Sequence, residues 1–573
     1  MKLFIPILLF AVNSFSSIAQ NDHRMSVREK MAMPLYLQNA KTQNLQSLPP
    51  STSIRASAEW EEIDALMITW TSYTTILKEI VRAAQSETQV LIICSDSTSV
   101  KNTLTSSAIP LQNIHYIIAP FNTIWCRDYG QWNIYSNDVD SLALIDWIYN
   151  RPRANDDAIP GVIQNYSGLP MYSTTTNPND LIHTGGNFMC DGFGTGFSSN
   201  LILNENPSKT EAEIDTIMKK FMGINRYIKF PTLPYDVIHH IDMHIKLIDE
   251  ETLLVGQYPI GVADGPQIEA NLQFILSNFN SVFGTPYKVI RIQMPPDASG
   301  LYPSNNGDYR TFTNSVFVNK TVILPIYEQQ YDTTAIRIYH EALPGYTIIG
   351  INCNAIIPSL GAIHCITKEV AASNPLLISH QALHDTYQTT GAYYAKAMIK
   401  HRSGINTATL FYRTDTLLPY TSLAMTAITG MPDYFETNIP AQAGGTIVYY
   451  YIEATSVSGK TQVRPIVAPS GYWKFNVIIN TLVLPLANRS NSLENPYPNP
   501  ASSITCIPIS TKENIKIELS LKNILGVDEK IIYNGNNYGS KNYFFNAAEL
   551  KAGTYFISLK TNENIFYKKI VIQ

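Results

Sequence analysis

Cysteine is scarce: six residues in 573, at positions 94, 126, 190, 353, 365 and 506. They are neither dense nor regularly spaced and form no paired C-x-x-C, which excludes a disulfide-built scaffold and a zinc module of that type. Isolated cysteines usually behave as small buried apolar side chains. Only Cys365 stands in a chemical context. Charge is sparse too, at 15% of residues with a formal net of -5 and a pI near 6.1. This leaves no global attraction to nucleic acid or to an acidic membrane. Past the N-terminus no apolar run approaches the roughly 20 residues of a membrane-crossing helix. The glycine-rich run Gly192 to Gly196 lacks the spacing and the strand-to-helix setting of a phosphate loop and reads as a hairpin turn.

What is present begins with Met1-Lys2, the apolar stretch Leu3 to Val12 and the small-residue exit Ser14 to Gln20, which together read as a secretory signal over 1–20. Residues 21–55 are polar without strong periodicity and are expected to be an exposed lead-in or propeptide. From Ala56 the pattern changes. Ala65 to Trp70 and Val90 to Cys94 read as buried strands around a helix at Thr74 to Gln85. Similar alternation recurs through Ser141 to Ile148, Leu201 to Leu203, a helix at Lys209 to Phe221, and His244 to Leu254. A further round runs from Ile268 to Ala342, so 56–372 is predicted to be an α/β catalytic domain of repeated small modules. Over 373–485 the helices stop. Runs such as Thr446 to Ile452 alternate as in a β-sandwich of immunoglobulin type. A polar linker then leads, within 486–573, to a second compact all-β unit.

A thiol, an imidazole and two carboxylates are the parts needed to break a cationic guanidinium. The thiolate attacks the planar carbon, the carboxylates grip the nitrogens and the histidine protonates the departing nitrogen. His240 and Asp242, two apart, share one side of an extended strand. Asp128 follows Trp125-Cys126-Arg127 and precedes Tyr129-Gly130, a turn that exposes its carboxylate beside an aromatic wall. His364 adjoins Cys365 and, in an extended segment, faces away from the sulfur, so it is read as structural and His240 as the acid and base. In Arg151-Pro152-Arg153 the proline predicts an extended tripeptide with both guanidinia on one side, a fork for a carboxylate. Asn314 is a candidate contact to the substrate backbone, with Asn305 and Asn306 competing.

In order, Ala58-Glu59-Trp60-Glu61-Glu62, Trp125-Cys126-Arg127-Asp128, Gly185-Gly186-Asn187-Phe188, His240-Ile241-Asp242-Met243 and Gly361-Ala362-Ile363-His364-Cys365 resemble the agmatine deiminase and bacterial peptidylarginine deiminase group over residues 55 to 370. The resemblance implies a pentein fold, five ββαβ-like modules around a pseudo-fivefold axis. It also implies Asp128, His240, Asp242 and Cys365 as the catalytic four, with no cofactor and no metal required. The secreted peptidylarginine deiminases look most similar, and there the arginines matching Arg151 and Arg153 hold the α-carboxylate of a C-terminal peptidyl arginine. The aromatic contact that the group places before His-x-Asp has no clear counterpart, since Val237 stands there with Tyr235 nearby. The last 80 or so residues carry Pro498-Asn499-Pro500, Gly553-Thr554-Tyr555 and the terminal Lys568 to Gln573, and resemble a type IX secretion C-terminal sorting domain. These likenesses imply a secreted or surface-attached enzyme that turns peptidyl arginine into citrulline, with arginine-bearing peptides or proteins and the secretion machinery as partners. Deimination of agmatine or another small guanidine, and a non-catalytic surface-binding role, stay open.

Overall fold

The computed structural model describes residues 22–42, 48–479, 491–502, 504–562 and 564–573. The expected signal and most of the expected linker lie outside them. The chain divides into two compact units, Met1–Ile479 and Asn480–Gln573.

Up to Ala371 the first unit is built of five small sheets on one plan. Ile245–Leu247 pairs antiparallel with Thr252–Gln257, the helix Gly265–Asn278 crosses over, and Lys288–Gln293 returns parallel. The same order recurs in Val316–Val318, Thr321–Ile326, Gln329–Ala342 and Thr347–Asn352. It recurs again in Met189–Cys190, Thr195–Ser199, Glu211–Met222 and Arg226–Phe230, and in Trp132–Ser136, Leu142–Tyr149, Ile159–Ser167 and Met171–Thr174. The fifth sheet joins the two ends of the domain, because Lys368–Ala371 pairs antiparallel with Ile63–Thr69, which is followed by the helix Thr74–Ala84 and the parallel strand Gln89–Cys94.

Local chemistry explains the elements. The middle strands are buried on both faces and so read as unbroken apolar runs. Helix Thr74–Ala84 turns Ile76, Leu77, Ile80, Val81 and Ala84 inward at helical spacing. Thr210 and Glu213 form a reciprocal cap at the start of Glu211–Met222, and Gly223, at φ 70°, ends that helix in the left-handed conformation that costs glycine least.

Two expectations fail here. Leu201 to Leu203 is not a strand but the start of a helix, Leu201–Glu205, closed by the Asn206 side chain, which donates to the carbonyls of Ile182 and Ile202 at 2.8 Å each. An apolar triplet looks the same in either state, and the capping amide decides. Residues 21–55 are not irregular throughout. Val27–Thr42 is a helix, begun by Ser26 and Glu29, which cap one another's backbone N–H groups at 3.2 and 2.7 Å.

From Leu377 the same unit continues as two antiparallel sheets that share one core containing Ala395, Ile399, Leu410, Val448, Tyr450 and Ile452. This part is fastened to the five-sheet part by Lys460 on Glu62 at 2.7 Å and Arg464 on Glu250 at 3.2 Å. Ile466 and Val467 add apolar packing, buried in the five-sheet core. The second unit is one antiparallel sheet of five strands, in which the long strand Ile504–Lys522 pairs with three others, among them the equally long Asp528–Asn546. Asn499, between two prolines, is hydrogen-bonded to both Lys569 and Val571 of the last strand.

Candidate active site

The first strand of each of the five sheets is entered from a short turn, and those turns carry the reactive side chains. The helix Cys126–Tyr129 precedes Trp132–Ser136, the 3-10 turn Gly185–Asn187 precedes Met189–Cys190, and Ile241–Met243 precedes Ile245–Leu247. Asn314 stands two residues before Val316–Val318, and the turn His364–Ile366 precedes Lys368–Ala371. Five equivalent positions thus converge from distant parts of the chain.

Gly186 lies at the centre of the cluster. A Cβ there would stand 2.5 Å from His240 Nδ1, 2.9 Å from Asp128 Oδ1 and 3.2 Å from Asp242 Oδ2, so only a glycine lets the three approach. Its backbone N–H donates to Asp128 Oδ1 at 3.1 Å, and His240 Nδ1 lies 3.5 Å from the same oxygen. Cys365 Sγ is 3.7 Å from Asp242 Oδ2 and accepts a hydrogen bond from the Asn314 amide at 3.2 Å. Among the described residues, the Oδ1 of Asp242 and the Nδ1 of His240 are buried and have no hydrogen-bond partner. These two atoms are of the types that meet a cation's N–H and a leaving nitrogen.

Several local expectations are corrected. His240 and Asp242 converge on one pocket, but through the 3-10 turn Ile241–Met243 rather than an extended strand. His364 also sits in a 3-10 turn, so its ring does not face away from the site. It lies between Asp242 Oδ2 at 2.7 Å and Glu59 Oε2 at 2.9 Å, and Glu59 is paired in turn with buried Lys246 at 2.6 Å. Arg127 turns away from Asp128 to Glu369 at 2.7 Å and donates to the His364 carbonyl at 3.3 Å, tying the two turns together. Arg151-Pro152-Arg153 is bent: the Arg153 N–H donates to the Arg151 carbonyl at 2.8 Å. Asn314 touches the sulfur, and its Oδ1 accepts from the His364 N–H at 3.0 Å, while Asn305, Asn306, Tyr235 and Val237 are exposed.

Burial drives the protonation states. It pushes Asp128 up, but the nearby imidazoles of His23 and His240, the hydrogen bond from His23 and the charge of Arg151 outweigh it, and the carboxyl is held well below its usual range. Burial takes His240 down to about 4 against the pull of Asp128. Burial and then the charges of Asp242 and Asp128 push the Cys365 thiol well up. The site therefore holds an anion, a neutral imidazole and a neutral thiol, and an incoming cation is what would draw the thiolate out.

One member had no sequence signal of its own. His23 lies buried against the cluster with its ring stacked on Trp125, centroids 4.2 Å apart and planes 4° from parallel, and edge-on to His240 at 5.2 Å. Its Nε2 contacts Asp128 Oδ2, and its Nδ1 donates to the Leu360 carbonyl at 2.8 Å. Arg151 Nε donates to the His23 carbonyl at 3.3 Å, and Arg153 Nε to Glu29 Oε1 at 2.8 Å. Among the described residues, His23, Asp128 and His240 also form a group of ligand-type atoms within 4.8 Å of one another, close enough for a metal ion.

The family model described as Porphyromonas-type peptidyl-arginine deiminase matches residues 55–370, and that of the secretion system C-terminal sorting domain matches 495–573. The chain is 24% identical over 366 residues to a Legionella pneumophila protein assigned as an agmatine deiminase, covering 58% of this chain and 99% of that one. It is 22% identical to the agmatine deiminase of Medicago truncatula over 57% and 99%. A solved structure assigned as an arginine deiminase of Porphyromonas gingivalis superimposes with a TM-score of 0.50 at 19% identity, covering 56% and 99%. Another, assigned as an agmatine deiminase, gives 0.51 at 21% over 57% and 100%. At these identities the superpositions speak to the α/β fold alone. The sorting domain marks the product for secretion or outer-surface attachment, and no helix among the described residues is long and apolar enough to cross a membrane. By its matched span the chain belongs to the Porphyromonas-type peptidyl-arginine deiminase family of guanidino-group deiminases, extended by a type IX sorting domain.

Proposed function

We propose that the protein deiminates peptidyl arginine hydrolytically, with preference for arginine at a C-terminus, on a five-module pentein propeller followed by an immunoglobulin-like sandwich. Asp128 and Asp242 grip the guanidinium over Trp125. The cation's charge favours ionisation of Cys365, whose proton passes to His240 as its Sγ attacks the central carbon, and His240 hands that proton on to the nitrogen that leaves as ammonia. His240 then takes a proton from water as it adds to the thiouronium carbon. Collapse expels Cys365 and releases citrulline. Arg151 and Arg153 receive the substrate carboxylate.

The observation that carries the peptidyl reading is His23. A residue of a polypeptide reaches the clamp with its side chain while its carbonyl is met by Arg151, a contact agmatine could not make. The family's agmatine deiminases support the small-guanidine reading as the alternative, and half-buried Glu205, 4.0 Å from Arg151, offsets part of that arginine's charge.

The test compares citrulline formation from peptides ending in arginine, the same peptides amidated, and agmatine. Arg151→Ala is expected to lower kcat/KM for the free-carboxylate peptide about 10²-fold and to change the amidated peptide little. Cys365→Ala is expected to abolish every turnover. Equal losses on both peptides, or faster use of agmatine, would overturn the C-terminal preference.

A further inference from the structure

The cluster that should receive substrate is already filled by the chain itself. Asp22 to Thr42 lie outside the span shared with the family, yet place four side chains on it. His23 is buried between Trp125 and Asp128, with its N–H on the Ser359 carbonyl at 3.2 Å. Glu29 takes Arg153, the Tyr36 hydroxyl donates to the Tyr149 carbonyl at 3.1 Å, and Lys41 pairs with Asp180 at 2.6 Å. The flat His23 ring lies between two acceptors, the Leu360 carbonyl and Asp128 Oδ2, one at each ring nitrogen, as a planar guanidinium would. Between these anchors Val27, Met31 and Leu35 are 77%, 79% and 62% exposed, so apolar burial adds little to the hold. Contacts this polar suffice while the segment is tethered and its effective concentration is high, and they are weak once it is free.

We propose that Asp22–Thr42 is a built-in pseudosubstrate strap. His23 stands where the guanidinium would lie, its carbonyl and Glu29 stand where anionic groups would meet Arg151 and Arg153, and the enzyme is latent until the backbone is cut beyond Thr42. The proposal rests on the deiminase reading for what the strap keeps out, and its test is independent of turnover.

A specific protease site placed within residues 43–47 of the full chain allows cutting followed by dialysis. The probe is 2-chloroacetamidine, a planar cation whose chloride Cys365 Sγ displaces, read by mass on the Cys365 peptide. A strap closed about 99% of the time slows labelling about 10²-fold. Labelling is therefore expected to rise by about that factor on cutting, and to rise in uncut His23→Ala. A synthetic peptide of residues 22–42 added to the cut protein should slow labelling again, and the same peptide with His23→Ala should not. Equal rates before and after cutting, or equal slowing by both peptides, overturn the strap. Citrulline measured on the same samples separates the two readings. Faster labelling without turnover of any guanidine keeps the strap and refutes the deiminase, whereas full turnover by the uncut chain does the reverse.

Discussion

Glu59 belongs to a motif whose chemistry is silent in sequence, and the structure places it behind His364 and Asp242 as the outer member of a buried relay. It holds the His364 ring, which holds the carboxylate facing the sulfur, so it is a positioning residue. Glu59→Gln is expected to lower kcat about 10- to 10²-fold with little change in KM. The single change also strands Lys246, a buried cation, at a cost of about 3 to 5 kcal/mol. Lys246→Met in the same chain should restore the thermal midpoint and leave kcat low. Recovery of both would mean that Glu59 acts only through stability. Gly186→Ala makes a complementary point. Its Cβ would stand within contact of His240, Asp128 and Asp242, so kcat/KM is expected to fall at least about 10²-fold from misplacement alone. Steady-state kinetics on strap-free protein would show it, and an unchanged kcat/KM would mean that the three groups do not close on the substrate.

At the scale of elements, the strap helix shows how little local sequence needs to change for function to be gated. The signature Ser26-x-x-Glu29 is legible as a cap, but Glu29 also reaches Arg153, more than a hundred residues away. Glu29→Gln removes the ionic part of that contact while keeping a hydrogen-bonding side chain. In the uncut chain it is expected to raise Cys365 labelling several-fold, toward the cut rate, and to leave the cut protein unaffected, where the strap is gone. The turns Ile241–Met243 and His364–Ile366 read as extended segments for a related reason. Three-residue 3-10 turns share their spacing with strands over so few positions, and the backbone hydrogen bonds that decide between them come from the fold.

Across the whole molecule, pH should act through buried groups whose charge burial opposes. His183, His240 and His244 are taken by burial to about 3, 4 and 4. Their contribution to stability is present above about pH 6.5, where the unfolded imidazoles are neutral too, and is lost as pH falls toward those values. Asp236 is the reverse case, pushed up to about 8 by burial. Its contribution is present below about pH 4 and lost as pH rises through about 8. Thermal midpoints of wild type and Asp236→Asn should match near pH 4 and separate as pH rises, with the variant the more stable by pH 9. Parallel curves would rule Asp236 out as the cause of an alkaline limb.

The order of motifs along 55 to 370 already spelled the family, because a nucleophile, an imidazole and two carboxylates must be present as residue types whatever the fold does with them. Apolar runs and helical spacing announced the α/β modules, and alternating Tyr, Ile and Val the β parts, since periodicity reports which faces are buried. Sequence alone also named the address on the tail. What the residues could not state is which turn meets which. His364 became a partner of Asp242, Asn314 a partner of the sulfur, and Arg151 and Arg153 the anchors of the chain's own N-terminal segment. His23 joins Asp128 across 105 positions and Leu360 across 337. Contacts of that separation depend on how five sheets close on one another, a property of three-dimensional packing that no local spacing encodes.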